Sequence, residues 1–140
     1  MTCDVTIEGA ERASRGRAIL MAVAAAVLLV NAAIQWGNPD YAEPGVRSGS
    51  WILVVAIWMF ILANGGGLRL GGRMRALLND ELSLRNRARA IAAGFYLMLA
   101  AGLAVYAAAW RVEIAAADAL RLVTAAGLSA ALLVYAWLEW

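Results

Sequence analysis

The chain of 140 residues has no histidine and no lysine, one cysteine, two prolines, and almost no ionisable group inside its long apolar runs. Each absence closes off a chemistry. Without histidine there is no usual axial ligand for haem, no usual zinc or copper ligand, and no commonest general base. One thiol, Cys3, makes neither an internal disulfide nor a dithiol redox pair. No two carboxylates share a face of an apolar run. There is no Walker A motif, dinucleotide fingerprint or nucleophile elbow. Gly65-Gly66-Gly67 with Gly71-Gly72 lacks the Gly-Lys-Ser/Thr ending and reads as a helix stop with a hinge. The expectation is a non-enzymatic protein with no catalytic residue, no cofactor and no metal.

What remains is apolar. Hydrophobic residues make up 64% of the chain, against about 45–50% in a water-soluble domain. They fall into four stretches: Ala18–Trp36, Trp51–Ala63, Ala90–Trp110 and Leu122–Leu138. A membrane-crossing helix needs roughly 20 such residues. Extended to that length the spans are about 18–36, 49–68, 90–110 and 120–138, in one membrane domain covering 1–140. The expected fold is all-α: an integral membrane four-helix bundle with up-down-up-down connections, its first span retained and not cleaved as a leader.

All 12 basic residues are arginine. Together with the abundant alanine and glycine, this suits a GC-rich bacterial genome. Nine arginines lie in the N-terminal tail (12, 15, 17) and the central segment (69, 73, 75, 85, 87, 89), and three (47, 111, 121) in the other two connections. The positive-inside rule then predicts an N-in/C-in protein of the bacterial inner membrane. Aromatic belts follow: Trp36, Tyr41, Trp51 and Trp110 outside, Phe95, Tyr96, Tyr135, Trp137 and Trp140 inside. Trp58, Phe60 and Tyr106 fall deeper and read as packing residues. The prolines, in Asn38-Pro39-Asp40 and Glu43-Pro44-Gly45, mark the first loop as turn. Asp118 and Arg121, three apart, can pair on one helix face.

Small residues mark close helix approach in lipid. Candidate stripes are Ala18, Ala22 and Ala26; Ala100, Ala104 and Ala108; Gly127 and Ala131, with Ala126 and Ala130 beside them. Intramembrane polar residues are few: Asn31, Gln35, Asn64, Thr124 and Ser129. They read as interhelical hydrogen bonds or as the lining of a path for a small polar solute. The glutamate that small multidrug transporters carry in the first span is missing.

The cytoplasmic segment 69–89 is the most distinctive. Met74, Leu77, Leu78 and Leu82 follow an amphipathic-helix period. Asn79 or Asp80 can cap a helix that runs into the third span. Arg85, Arg87 and Arg89 then meet the phospholipid headgroups. Arg73, Leu77, Leu78, Asp80, Glu81, Leu82, Arg85, Arg87 and Arg89 form the candidate partner-binding set. Arginines held against a bilayer make a poor nucleic-acid platform, so direct nucleic-acid binding is not expected. The stretch Leu78-Asn79-Asp80-Glu81-Leu82-Ser83-Leu84-Arg85-Asn86-Arg87-Ala88, running into an apolar span, resembles a pattern in small four-span bacterial membrane proteins. Some of those are similar to proteins encoded beside a helix-turn-helix regulator. The resemblance implies that such a protein holds a regulator at the membrane; it assigns no catalytic residue. Arg15-Gly16-Arg17-Ala18-Ile19 also resembles Arg87-Ala88-Arg89-Ala90-Ile91, a hint of internal repeat.

Three functions remain. The first is binding or sequestering a cytoplasmic protein partner, such as a transcriptional regulator, through the central Arg/Leu segment. The second is a small transporter or channel acting as a homodimer. The third is an accessory subunit of a larger membrane complex.

Overall fold

The structure, a computed structural model, describes residues 3–37, 43–64 and 81–140. These form four α-helices: α1 (Cys3–Gly37), α2 (Pro44–Ala63), α3 (Glu81–Ala108) and α4 (Ala116–Glu139). Among the described residues there is no strand. Each helix contains a segment long and apolar enough to cross a membrane: Ser14–Trp36, Gly45–Ala63, Ser83–Ala108 and Ala116–Glu139. At 1.5 Å per residue α1 is roughly 52 Å long and α3 roughly 42 Å. Both exceed a hydrocarbon core of about 30 Å. Their polar first turns therefore extend beyond the apolar segments.

The helix ends have local causes. Proline has no N–H to lose at the first helical position, so Pro44 opens α2 where the sequence suggested only a turn. α2 ends at Ala63, with Asn64 as its cap; residues 65–68 of the expected span lie outside the described residues. There the backbone N–H and side-chain Nδ2 of Asn64 both donate to the Phe60 carbonyl, at 3.0 and 2.8 Å. Ala115, in extended backbone, precedes α4. Asp118 lies in the first turn of α4, where a carboxylate suits the helix dipole.

α4 is the centre of the packing, in contact with each of the other three helices. Within the candidate spans, 44% of α4 is buried, against 11% for both α2 and α3. Contacts fix the directions. Ser14 and Asn86, near the starts of the apolar segments of α1 and α3, bond the last carbonyls of α4, so both helices run antiparallel to it. Arg47, Ser48 and Trp51 of α2 meet Asp118, Arg121 and Thr124 in ascending order, so α2 runs parallel. This alternation matches the expected connectivity. The arrangement is a hub with three spokes more than an evenly packed square.

Between α3 and α4 the backbones nearly touch. A Cβ added at Gly94 would lie 2.7 Å from both the Ala131 Cβ and the Gly127 carbonyl oxygen. One added at Gly127 would lie 2.7 Å from the Met98 Cβ. Lipid tails solvate apolar side chains as well as another helix does, so this close approach supplies the attraction that hydrophobicity cannot. The Gly127/Ala131 stripe is thus a true contact. The stripe expected on α3 is not: Ala100, Ala104 and Ala108 are exposed, and Asn86, Ala90 and Gly94 face α4 instead. On α1, Ala18 is buried but Ala26 is exposed, and contact follows Ala18, Met21, Ala25 and Leu28. That three-and-four spacing keeps a seam against a straight neighbour, which a strict spacing of four does not.

Two aromatic expectations are also overturned. Trp51 and Tyr135, expected in the belts, do not face outward; they are 5% and 0% exposed, held in the two core clusters on either side of Trp58 and Leu128. Conversely, Phe60 and Tyr106 are exposed, the latter edge-on to Trp110 with ring centroids 6.3 Å apart.

Candidate functional site

Polar contacts gather at the two ends of the bundle. At one end the last turn of α4 is clamped from both sides. The Arg17 guanidinium donates to Glu139 Oε2 at 2.7 Å, with both side chains at most 10% exposed. The Ser14 hydroxyl donates to the Glu139 carbonyl at 3.0 Å. From the other side Asn86 Nδ2 donates to the Leu138 carbonyl at 3.2 Å. A helix leaves its final carbonyls without internal partners, so these side chains act as caps supplied by neighbouring helices. α2 is treated likewise: Arg87 donates to the Ala63 carbonyl at 2.6 Å. Ser14 and Asn86 immediately precede the two resembling sequence stretches, within which Ala18 and Ala90 occupy matching places and are both buried.

At the other end Asp118 accepts from two arginines, Arg47 at 2.8 Å and Arg121 at 2.7 Å. The i,i+3 pair expected within α4 is therefore present, and it is joined to α2. Arg121 is buried and also donates to the Ser48 hydroxyl at 3.2 Å. One turn deeper the Trp51 indole N–H donates to the Thr124 hydroxyl at 3.2 Å, and that hydroxyl donates to the Leu120 carbonyl at 2.7 Å. α2 is thus held to α4 by a short polar ladder.

The five intramembrane polar candidates do not come together. The Gln35 amide donates to Asn31 Oδ1 on the same helix. Asn64 caps α2 at the opposite end, and Thr124 is engaged by Trp51. The Ser129 hydroxyl is buried in α4 without a partner among the described residues.

Of the partner-binding set, Arg73, Leu77, Leu78 and Asp80 lie outside the described residues, and only the helical backbone of Glu81 and Leu82 is described. The three arginines that follow divide. Arg85 and Arg89, one turn apart, are exposed, whereas Arg87 is half-buried and turned to α2.

Sequence reasoning missed a lateral groove between α2 and α3, floored by α4. Val55, Met59 and Ala63 form one wall, Ile91, Phe95 and Met98 the other, and Gly127 and Leu128 the floor. Its volume is about 340 Å³. Thr124 is its one polar lining residue. The only advance signal was the side-chain-free surface at Gly94 and Gly127, which lets α4 lie low between two larger-faced helices. Comparison with known proteins adds no family: no family model, curated protein or solved structure matches this chain.

Proposed function

We propose that this chain is a non-catalytic, multi-pass protein of the bacterial inner membrane that binds a cytoplasmic protein partner and holds it at the membrane. The binding surface is the segment between α2 and α3 together with the first turns of α3. The observation that carries the reading is that α3 begins at Glu81, ahead of its apolar segment, with Arg85 and Arg89 exposed on one helical face. Internal needs are met by Asn86 and Arg87 between them, which leaves that face to a partner. The partner's surface is acidic, with apolar pockets for Leu77, Leu78 and Leu82. A transcriptional regulator sequestered in this way fits the chemistry. The N-in/C-in orientation, supported by the arginine distribution, puts the surface in the cytoplasm.

The scatter of the five polar candidates favours binding over transport. A solute path needs connected polar groups, and here two are spent on each other, one caps a helix end, and one is engaged by Trp51. The test is affinity purification from the native host in mild detergent, followed by mass spectrometry. A soluble partner is recovered with the wild type and with Arg111→Glu, an exposed arginine at the other end of α3. Recovery falls at least tenfold with Arg85→Glu/Arg89→Glu. Recovery unaffected by the double change overturns the proposal.

A further inference from the structure

We infer that the groove between α2 and α3 is a binding site for one acyl chain of an anionic phospholipid, whose phosphate is held by Arg87. Position carries the argument first. Arg87, Ile91, Gly94 and Met98 lie at spacings of four, three and four, a single stripe of α3, and the last three line the groove. Arg87 bonds the carbonyl of Ala63, which lines the opposite wall. The guanidinium therefore stands at the mouth, where both walls end. It has five N–H donors in a planar fork, of which the Ala63 carbonyl takes one at 2.6 Å. Such a fork suits the paired oxygens of a phosphate.

Dimensions decide the occupant. On α3 the lining runs from Ile91 to Met98, roughly 10 Å, and Arg87 stands one turn before it, so the distance from guanidinium-bearing residue to deep end is roughly 16 Å. That is about half of the 30 Å hydrocarbon core, the depth of one leaflet. Its lining is apolar except for Thr124 at the deep end. At about 340 Å³ it has room for a single hydrocarbon chain. A cation at one end and an apolar slot leading from it together describe an anionic lipid.

The test is native mass spectrometry of the full chain in mild detergent, titrated with phosphatidylglycerol or phosphatidylcholine of equal chain length. The expected result is one retained phosphatidylglycerol, bound about tenfold more tightly than phosphatidylcholine. Arg87→Gln abolishes the headgroup preference but keeps weak binding of either lipid, and Arg87→Lys restores part of it. Ile91→Trp, at a half-exposed wall position, fills the slot and loses both lipids without loss of helix content. Equal retention of the two lipids by the wild type, or retention unchanged by Ile91→Trp, overturns the proposal. So does a dimer that Ile91→Trp dissociates with no lipid retained.

Discussion

Replacing Gly94 with alanine adds one methyl group at the tightest point of the bundle. The new Cβ would lie 2.7 Å from the Ala131 Cβ and 2.7 Å from the Gly127 carbonyl. Comfortable carbon contacts fall at about 3.5–4.0 Å, so the shortfall is close to 1 Å. Neither neighbour is the far end of a flexible side chain, so α3 must move bodily away from α4. A gap of that size forfeits roughly a quarter to a half of the dispersion energy of each contact along the crossing. Overpacking of this kind costs about 1–3 kcal/mol. Alanine also returns up to about 1 kcal/mol of helix propensity, which must be separated out. Gly102 provides that control: it lies in the same helix, and a Cβ there meets nothing within 4 Å. The expected difference between Gly94→Ala and Gly102→Ala is about 2 kcal/mol, or some 30-fold in the folding equilibrium. SDS-induced unfolding of the protein in mixed micelles, followed by tryptophan fluorescence, measures it. If the two variants agree within about 0.5 kcal/mol, near the error of such comparisons, the helices do not cross at Gly94 and Gly127.

Other outcomes follow from the polar ends. Thr124→Val leaves the buried Trp51 indole N–H unpaired and should cost about 1–3 kcal/mol, a cost that should shrink in a Trp51→Phe background, where the donor is gone; an undiminished cost in that background in the SDS assay would refute the ladder. Asp118→Ala removes the carboxylate between Arg47 and buried Arg121 and should cost about 3 kcal/mol, while Glu113→Ala, at an exposed position, should cost nothing measurable. For orientation, Arg85→Cys and Val112→Cys are made separately in a Cys3→Ser background. An impermeant maleimide should label Val112→Cys in intact cells and Arg85→Cys only after permeabilisation; the reverse pattern would invert the topology.

Much of the architecture was legible because the bilayer imposes a one-dimensional rule. Apolar length alone located four helices long and apolar enough to cross a membrane. Asp118–Arg121 was legible for the same reason, as both partners belong to one helix turn. Pairings across helices depend on register, which composition does not encode. Arg17 and Glu139 are 122 positions apart, and nothing near either residue announces the other. Alanine was the chief obscurity. It is so frequent that four-residue stripes occur on every face, and only the glycine partner at Gly94 marks the true one on α3. Trp51 and Tyr135 misled for another reason: amphipathic rings suit the headgroup level, but a ring also fills a core when a neighbouring hydroxyl or a slot between helices receives it. The groove was invisible because it is made by the absence of side chains on two helices at once.

The centrality of α4 has a consequence for biogenesis. The chain is made from the N-terminal side at about 5–20 residues per second, so α1, α2 and α3 leave the ribosome before their common partner exists. Contacts among those three are sparse, and each finds most of its neighbours in α4. If the four helices enter a bilayer, the first three must persist there as separate helices and dock together once α4 follows. Assembly is thus a single late event gated by one helix. Any fault that delays or misplaces α4 would present the cell with three unassembled spans at once.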